Sequence, residues 1–269
     1  MLFRSLGATV SEPWFLSGNQ NKIFVMYDVP HLMKNLRNNL LKYDITVNGD
    51  TVSFKFIQQM YHLEKQSSLR LCPKLTDDHF YLKPFKKMRV KLATQVLSHS
   101  VSTAIRTYVH FDKLDKSALP TADFVEHIDK LFDIMNSRFN ANHKWRKSLT
   151  EKSQDQLAVL NEAPNWLASW TFGGDKEMKL PFHEGLILTV RSIHLAALYL
   201  LTQKHFKYVL TSRFNQDIVE NWFSCIRLKG LNNDSRTVLE YESAGRALSV
   251  SWMLNVQGDI KLHKAIQKQ

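Results

Sequence analysis

Residues 22–43, KIFVMYDVPHLMKNLRNNLLKY, constrain the fold more than any other stretch of this chain. KIFVMY is short, apolar and rich in branched and aromatic residues, which predicts a buried strand. Pro30 suits the first turn of a following helix, where its missing N–H costs little. Leu32, Leu36 and Leu40 then recur at helical spacing. Asp28 falls at the junction, at a strand end that exposes a side chain while the sheet holds it in place. The next stretch, DITVNGDTVSFKFIQQMYHLE, predicts a hairpin turning on Asn48-Gly49 and then a helix.

Three longer helical patterns follow. Residues 85–109 carry Val90, Ala93, Leu97, Val101 and Ile105 on one face. Residues 121–140 follow Pro120, with Thr121 as a cap and Phe124, Ile128, Leu131, Phe132 and Met135 inward. The third is an apolar helix around residues 184–204. Before it, NEAPNWLASWTFGG predicts a packed, non-periodic connector, because it mixes Pro, Gly and Trp. Near the end, FNQDIVENWFSCIRLKG predicts a helix closing at Gly230, and another follows with Ser235 and Thr237 as caps. The pattern suggests a strand–helix piece completed by C-terminal helices, with a helical body inserted between them.

Composition removes several classes. With 269 residues, 44% hydrophobic and 23% charged, the chain has ordinary globular usage rather than that of a disordered protein. No apolar run reaches the ~18 residues of a membrane span. The nearest, GLILTVRSIHLAALYLL, is broken by Arg191 and His194 and predicts a buried helix; no membrane partner is expected. Cys72 and Cys225 form no Cys-x-x-Cys motif, which argues against a disulfide framework or a structural zinc site. The net charge of +11 suits a phosphate-bearing partner such as DNA, RNA or a nucleotide.

Two acidic positions invite two readings each. Asp28 and Glu220 could converge on a divalent metal, since magnesium takes oxygen ligands and usually one or two carboxylates. Equally, Asp28 could cap the helix that starts at Pro30, and Glu220 could be a solvated helix residue. Asp217 lies in the first turn of its helix, where a carboxylate is favourable anyway. Lys34 and Arg37, three apart, either present one face to a DNA backbone or form a charged outer face.

YDVPHLMKNLRNNL and SRFNQDIVENWFSCIR resemble the two signature stretches of the P-element-type DNA transposases, including those that carry a THAP zinc finger. LTDDHFYLKPFKKMRVKLATQVLSHSVSTAI resembles the start of that family's GTP-binding insertion domain, and LFDIMNSR a later part of it. The similarity runs from about residue 7 to about residue 254, with the blocks in the family's order. It implies an α/β fold: a partial RNase H-like (retroviral-integrase-like) domain at 1–60 and 209–269, split by a mostly helical GTP-binding insertion at 61–208. It implies magnesium-dependent DNA strand cleavage and transfer, with Asp28 and Glu220 as catalytic metal ligands. For the nucleotide it implies Lys74, Arg89, Val90, Ser98, Asp133, Asn136 and Asp217, with Asp133 reading the guanine edge. A carboxylate accepts two hydrogen bonds from guanine N1–H and N2–H, a pattern adenine does not offer. No Gly-x-x-x-x-Gly-Lys-Ser/Thr loop is present, so the site is not a P-loop.

The family's first catalytic aspartate lies well upstream, yet none of the 27 residues before Asp28 is an aspartate. Magnesium is therefore expected only if that carboxylate is supplied, and the chain alone is expected to be inactive. This predicts a truncated or domesticated transposase derivative, or part of an active enzyme. Implied partners are DNA, a guanine nucleotide and another chain, either a copy of itself or a full-length relative. The implied location is the nucleus. The competing class is a non-catalytic helical interaction or DNA-binding protein derived from a transposase.

Overall fold

Trp14–Leu16 (β1) and Lys22–Phe24 (β2) pair antiparallel, with Trp14 opposite Phe24, around a turn in which Gln20 adopts φ 59°. The computed structural model describes residues 5–139, 141–173, 178, 180–229 and 237–250. The chain divides into two compact units, Met1–Asn215 and Gln216–Gln269. The buried strand expected over KIFVMY is corrected here. Only three of its residues are strand, Lys22 and Ile23 are exposed, and β1 is its one partner among the described residues. Met26 and Tyr27 leave the strand and pack against the core, and the Tyr27 N–H donates to Thr189 Oγ1 at 2.9 Å.

Asp28 then starts the helix Val29–Leu40 (α1). Its backbone is extended and its carboxylate accepts from the His31 N–H at 3.0 Å, with Pro30 in the first turn. Leu32, Leu36 and Leu40 are buried, as their spacing predicts. Lys34 and Arg37 are buried too, so they offer no face to DNA. Arg37 is fully enclosed, donating to Asn38 Oδ1 and to the Lys87 carbonyl, and desolvation lowers its pKa to about 10. Charge alone had suggested solvent, whereas the long guanidinium stem fills core space and its head caps a neighbouring chain segment.

The second hairpin forms where turn chemistry demands it. Ile45–Val47 (β3) and Asp50–Val52 (β4) flank Asn48 and Gly49, at φ 52° and 92°. Two consecutive positive φ values define the primed turn that Asn-Gly favours. Trp170–Phe172 (β5) adds to the other edge of β3, giving the antiparallel order β4-β3-β5. The expected irregular connector is thus corrected. Its first part belongs to the helix Gln154–Ala168 (α7), which accommodates Pro164 internally, and its Trp-Thr-Phe is a strand.

Helices make up most of the rest: Phe54–Gln66 (α2), Pro84–Lys87 (α3), Val90–Val96 (α4), His99–His110 (α5), Leu119–Met135 (α6) and Pro181–Leu198 (α8). The single helix expected over 85–109 is broken at Arg89 and Ser98, both extended in backbone. The apolar period runs on through the break at Ser98, so Ala93, Leu97, Val101 and Ile105 are still buried, whereas Phe85 and Met88, before the break at Arg89, are exposed. Thr121 is a buried residue inside α6 and not its cap; its hydroxyl accepts from the Ser53 N–H at 3.1 Å. Phe124, Ile128, Leu131 and Met135 face the core as expected, with Phe132 half-buried.

With the π-helical turn Tyr199–Gln203, α8 makes 23 residues long and apolar enough to cross a membrane by length and composition. Here Leu186, Val190, Ile193 and Ala197 lie in the core, and α8 packs along α7. Gly185 lets it approach closely, since a Cβ there would meet the Tyr27 ring at 3.2 Å.

The second unit contains Asp217–Lys229 (α9) and a helix over 238–250 (α10). Thr237 and Glu240 form a reciprocal cap at its start: the Thr237 N–H reaches Glu240 Oε2 at 2.9 Å, and the Glu240 N–H reaches Thr237 Oγ1 at 3.3 Å. Gly230 and Ser235 lie outside the described residues.

Candidate functional site

The break at Ser98 leaves the first turn of α5 facing a cleft of about 710 Å³. Ser98 Oγ donates back to the Gln95 carbonyl at 2.9 Å and makes no capping bond, and the leading His99 N–H bonds instead to the Asp129 carboxylate. The C-terminal half of α6 forms the facing wall with Asp129, Phe132, Asp133 and the cap residue Asn136. The segment after α6 is tied down by Thr211, whose hydroxyl accepts from the Ser137 N–H at 2.8 Å and donates to the Ile134 carbonyl.

The third wall is the 71–75 loop, which carries Lys74. Its position is set from below by Glu64, a fully buried carboxylate near the end of α2. Glu64 accepts from the Leu71 N–H at 3.0 Å, the Cys72 N–H at 2.8 Å and the Tyr108 hydroxyl at 3.0 Å. Cys72 donates to the Ser100 carbonyl at 3.3 Å, and burial, with the Glu64 charge, pushes its thiol up to about 12. This is a structural thiol and not a nucleophile.

The electrostatic centre is Asp133, 3% exposed. Arg146 Nε donates to its Oδ1 at 2.7 Å, and His143 Nδ1 stands 3.6 Å from Oδ2. One turn earlier, Asp129 shares the wall; burial first, then the Asp133 charge, pushes its pKa up to about 6. Against these two carboxylates the cleft sets Lys74, His99, Arg138 and Arg146. A buried acceptor beside several cations suits a ligand with hydrogen-bond donors at one end and phosphate at the other.

Of the residues expected to touch nucleotide, Lys74, Ser98, Asp133 and Asn136 line this cleft. Arg89 and Val90 do not; they open α4, whose later residues Thr94 and Gln95 do. Asp217 lies in the second unit, exposed in the first turn of α9 with Glu220. Asp129, Arg138 and Arg146 went unremarked in the sequence. The four-residue step from Asp129 to Asp133 was a readable signal, since it places both on one helix face.

A magnesium site is a different matter. Asp28 has a 6% exposed side chain, caps α1 and sits 3.0 Å from His31 Nδ1, while Glu220 belongs to the other unit. Among the described residues no three His, Cys, Asp or Glu side chains gather as metal ligands.

Residues 30–148, which include every residue lining this cleft, match the family model of the TNP-like, GTP-binding insertion domain. The chain is similar to P-element-type DNA transposases. It is 35% identical over 247 residues to the "Transposable element P transposase" of Drosophila melanogaster, a match covering 90% of this chain and 32% of that protein. It is also similar to the solved "Drosophila P element transposase strand transfer complex", with a TM-score of 0.81 at 32% identity, covering 91% of this chain and 56% of that one. The chain therefore spans about a third of the curated relative's length.

Proposed function

We propose that this chain is the GTP- and DNA-binding part of a P-element-type transposase or of a derivative of one. The observation that carries the reading is Asp133, a buried carboxylate aimed into a cleft rich in cations. Asp133 accepts from guanine N1–H and N2–H, Asn136 takes a neighbouring base or sugar contact, and Lys74 and Ser98 serve the rest of the nucleotide. Arg89, Val90 and Asp217 complete the set by resemblance to the family. GTP acts here as a bound structural cofactor that helps position DNA, and no hydrolytic step is assigned.

DNA is the macromolecular partner in this reading, supported by the strand transfer complex of the similar structure and by the net charge of +11. Residues 1–60 and 209–269 are assigned to the two parts of an RNase H-like domain, with 61–208 as the insertion. Association with a second transposase chain and residence in the nucleus belong to the same reading. Calorimetric titration with GTP and ATP tests it: GTP binds and ATP does not, and Asp133→Ala abolishes GTP binding. A chain that fails to bind millimolar GTP would instead be a non-catalytic interaction protein.

A further inference from the structure

A second concavity, of about 570 Å³, adjoins the cleft and shares Arg138 and Ala141 with it. Its lining includes Arg138, Phe139, Lys144, Lys147, Lys152 and a single carboxylate, Asp155. Asp155 is already taken, because Lys144 Nζ reaches its Oδ2 at 2.5 Å. Among the described residues Arg138, Lys147 and Lys152 have no carboxylate partner, and all three are exposed. Like charges converging on one concave surface repel each other and focus a positive potential that an anion relieves.

The shelf is held rigidly from beneath. Gln156, 5% exposed, donates through Nε2 to the Lys147 carbonyl at 3.0 Å and the Trp145 carbonyl at 3.3 Å. The start of α7 also faces it, through Ser153 and Gln154. Ser153 makes no side-chain cap, because its Oγ accepts the Thr150 N–H at 3.0 Å, so α7 adds the partial positive charge of an uncapped N-terminus. Phe139, which lines the concavity, is 61% exposed, and its ring centroid lies 5.5 Å from that of Tyr208, itself 44% exposed. Exposed rings beside a basic groove are what unpaired bases stack on.

We propose that this shelf binds a single-stranded nucleic-acid segment. The phosphodiester backbone lies on Arg138, Lys147 and Lys152, and a base stacks against the Phe139–Tyr208 pair. The proposal rests on the DNA-binding part of the reading above and is independent of GTP binding. It locates that function on a surface next to the nucleotide cleft, so a strand held here passes the mouth of the cleft.

Fluorescence anisotropy of a labelled oligothymidylate over a salt series tests it on the full chain. Lys147→Ala with Lys152→Ala lowers the slope of log affinity against log salt by about 1.4, at about 0.7 per lost phosphate contact on a single strand. Phe139→Ala weakens the oligothymidylate at least about fivefold and leaves a duplex of equal length unaffected. Replacing both lysines by arginine restores the slope. An unchanged slope overturns the proposal, as does a double variant that weakens GTP instead, which would give the shelf to the nucleotide's phosphate tail. A wild-type chain that binds no oligonucleotide overturns both this inference and the DNA-binding reading; binding with an unchanged slope overturns the inference alone.

Discussion

Arg146 and Asp133 meet across 2.7 Å, a half-exposed guanidinium closing over a buried carboxylate. A guanidinium presents parallel N–H groups to a carboxylate, as the N1–H and N2–H edge of guanine does. Arg146 holds Asp133 through the single bond from Nε to Oδ1, and a base that takes both carboxylate oxygens, as proposed, has to displace that bond.

Removing that internal competitor has a defined consequence. Arg146→Ala should strengthen binding of guanosine, which carries no phosphate, by roughly fivefold, the equivalent of about 1 kcal/mol for a partly exposed ion pair. The same change should lower the melting temperature of the ligand-free chain, since Asp133 then stays buried without its cation. Calorimetry with guanosine and a thermal melt check both halves.

Asp129 makes the fold pH-sensitive. Partial burial first, then the neighbouring Asp133 charge, push its carboxyl up to about 6, with His99 and Arg146 opposing the shift. Between about pH 4 and pH 6 the folded chain keeps a proton that the unfolded chain has released, so stability falls as pH rises through that window. Asp129→Asn should flatten this segment of the stability curve and stabilise the chain at pH 7.5 by on the order of 2 kcal/mol. Urea denaturation at pH 4.5, 6 and 7.5 measures it.

Glu64 tests how the cleft is held together. Glu64→Ala leaves the Leu71 and Cys72 N–H groups and the Tyr108 hydroxyl without their acceptor. The expected loss is about 2–4 kcal/mol of stability, with Glu64→Gln losing less because its amide oxygen still accepts. The 71–75 loop carries Lys74, so nucleotide affinity should fall along with the stability in a titration under native conditions.

The parts of the fold that local chemistry dictates were legible beforehand. Asn48-Gly49 named its own turn, Pro30 marked the start of α1, and the inward face of α6 followed from a 3.6-residue period. The break at Ser98 was hidden because the buried period of Ala93, Leu97, Val101 and Ile105 continues straight through it. β5 was hidden because its three residues gain their partner, β3, from a segment more than a hundred residues away. Lys34 and Arg37 misled because charge predicts solvent until tertiary packing supplies another environment. Within the cleft, Asp133 was singled out through family resemblance, whereas the Arg146 contact depends on a loop closure that no spacing in the sequence announces.

A paired titration of GTP and ATP into the wild-type chain and Asp133→Asn decides whether Asp133 reads a guanine edge. The amide keeps the size of the carboxylate but replaces one acceptor with a donor that opposes guanine N–H. The wild-type chain is expected to bind GTP at least about a hundredfold more tightly than ATP, and Asp133→Asn to lose this preference while keeping its fold. Equal affinity of the wild-type chain for both nucleotides, or a variant that still prefers GTP, would contradict it.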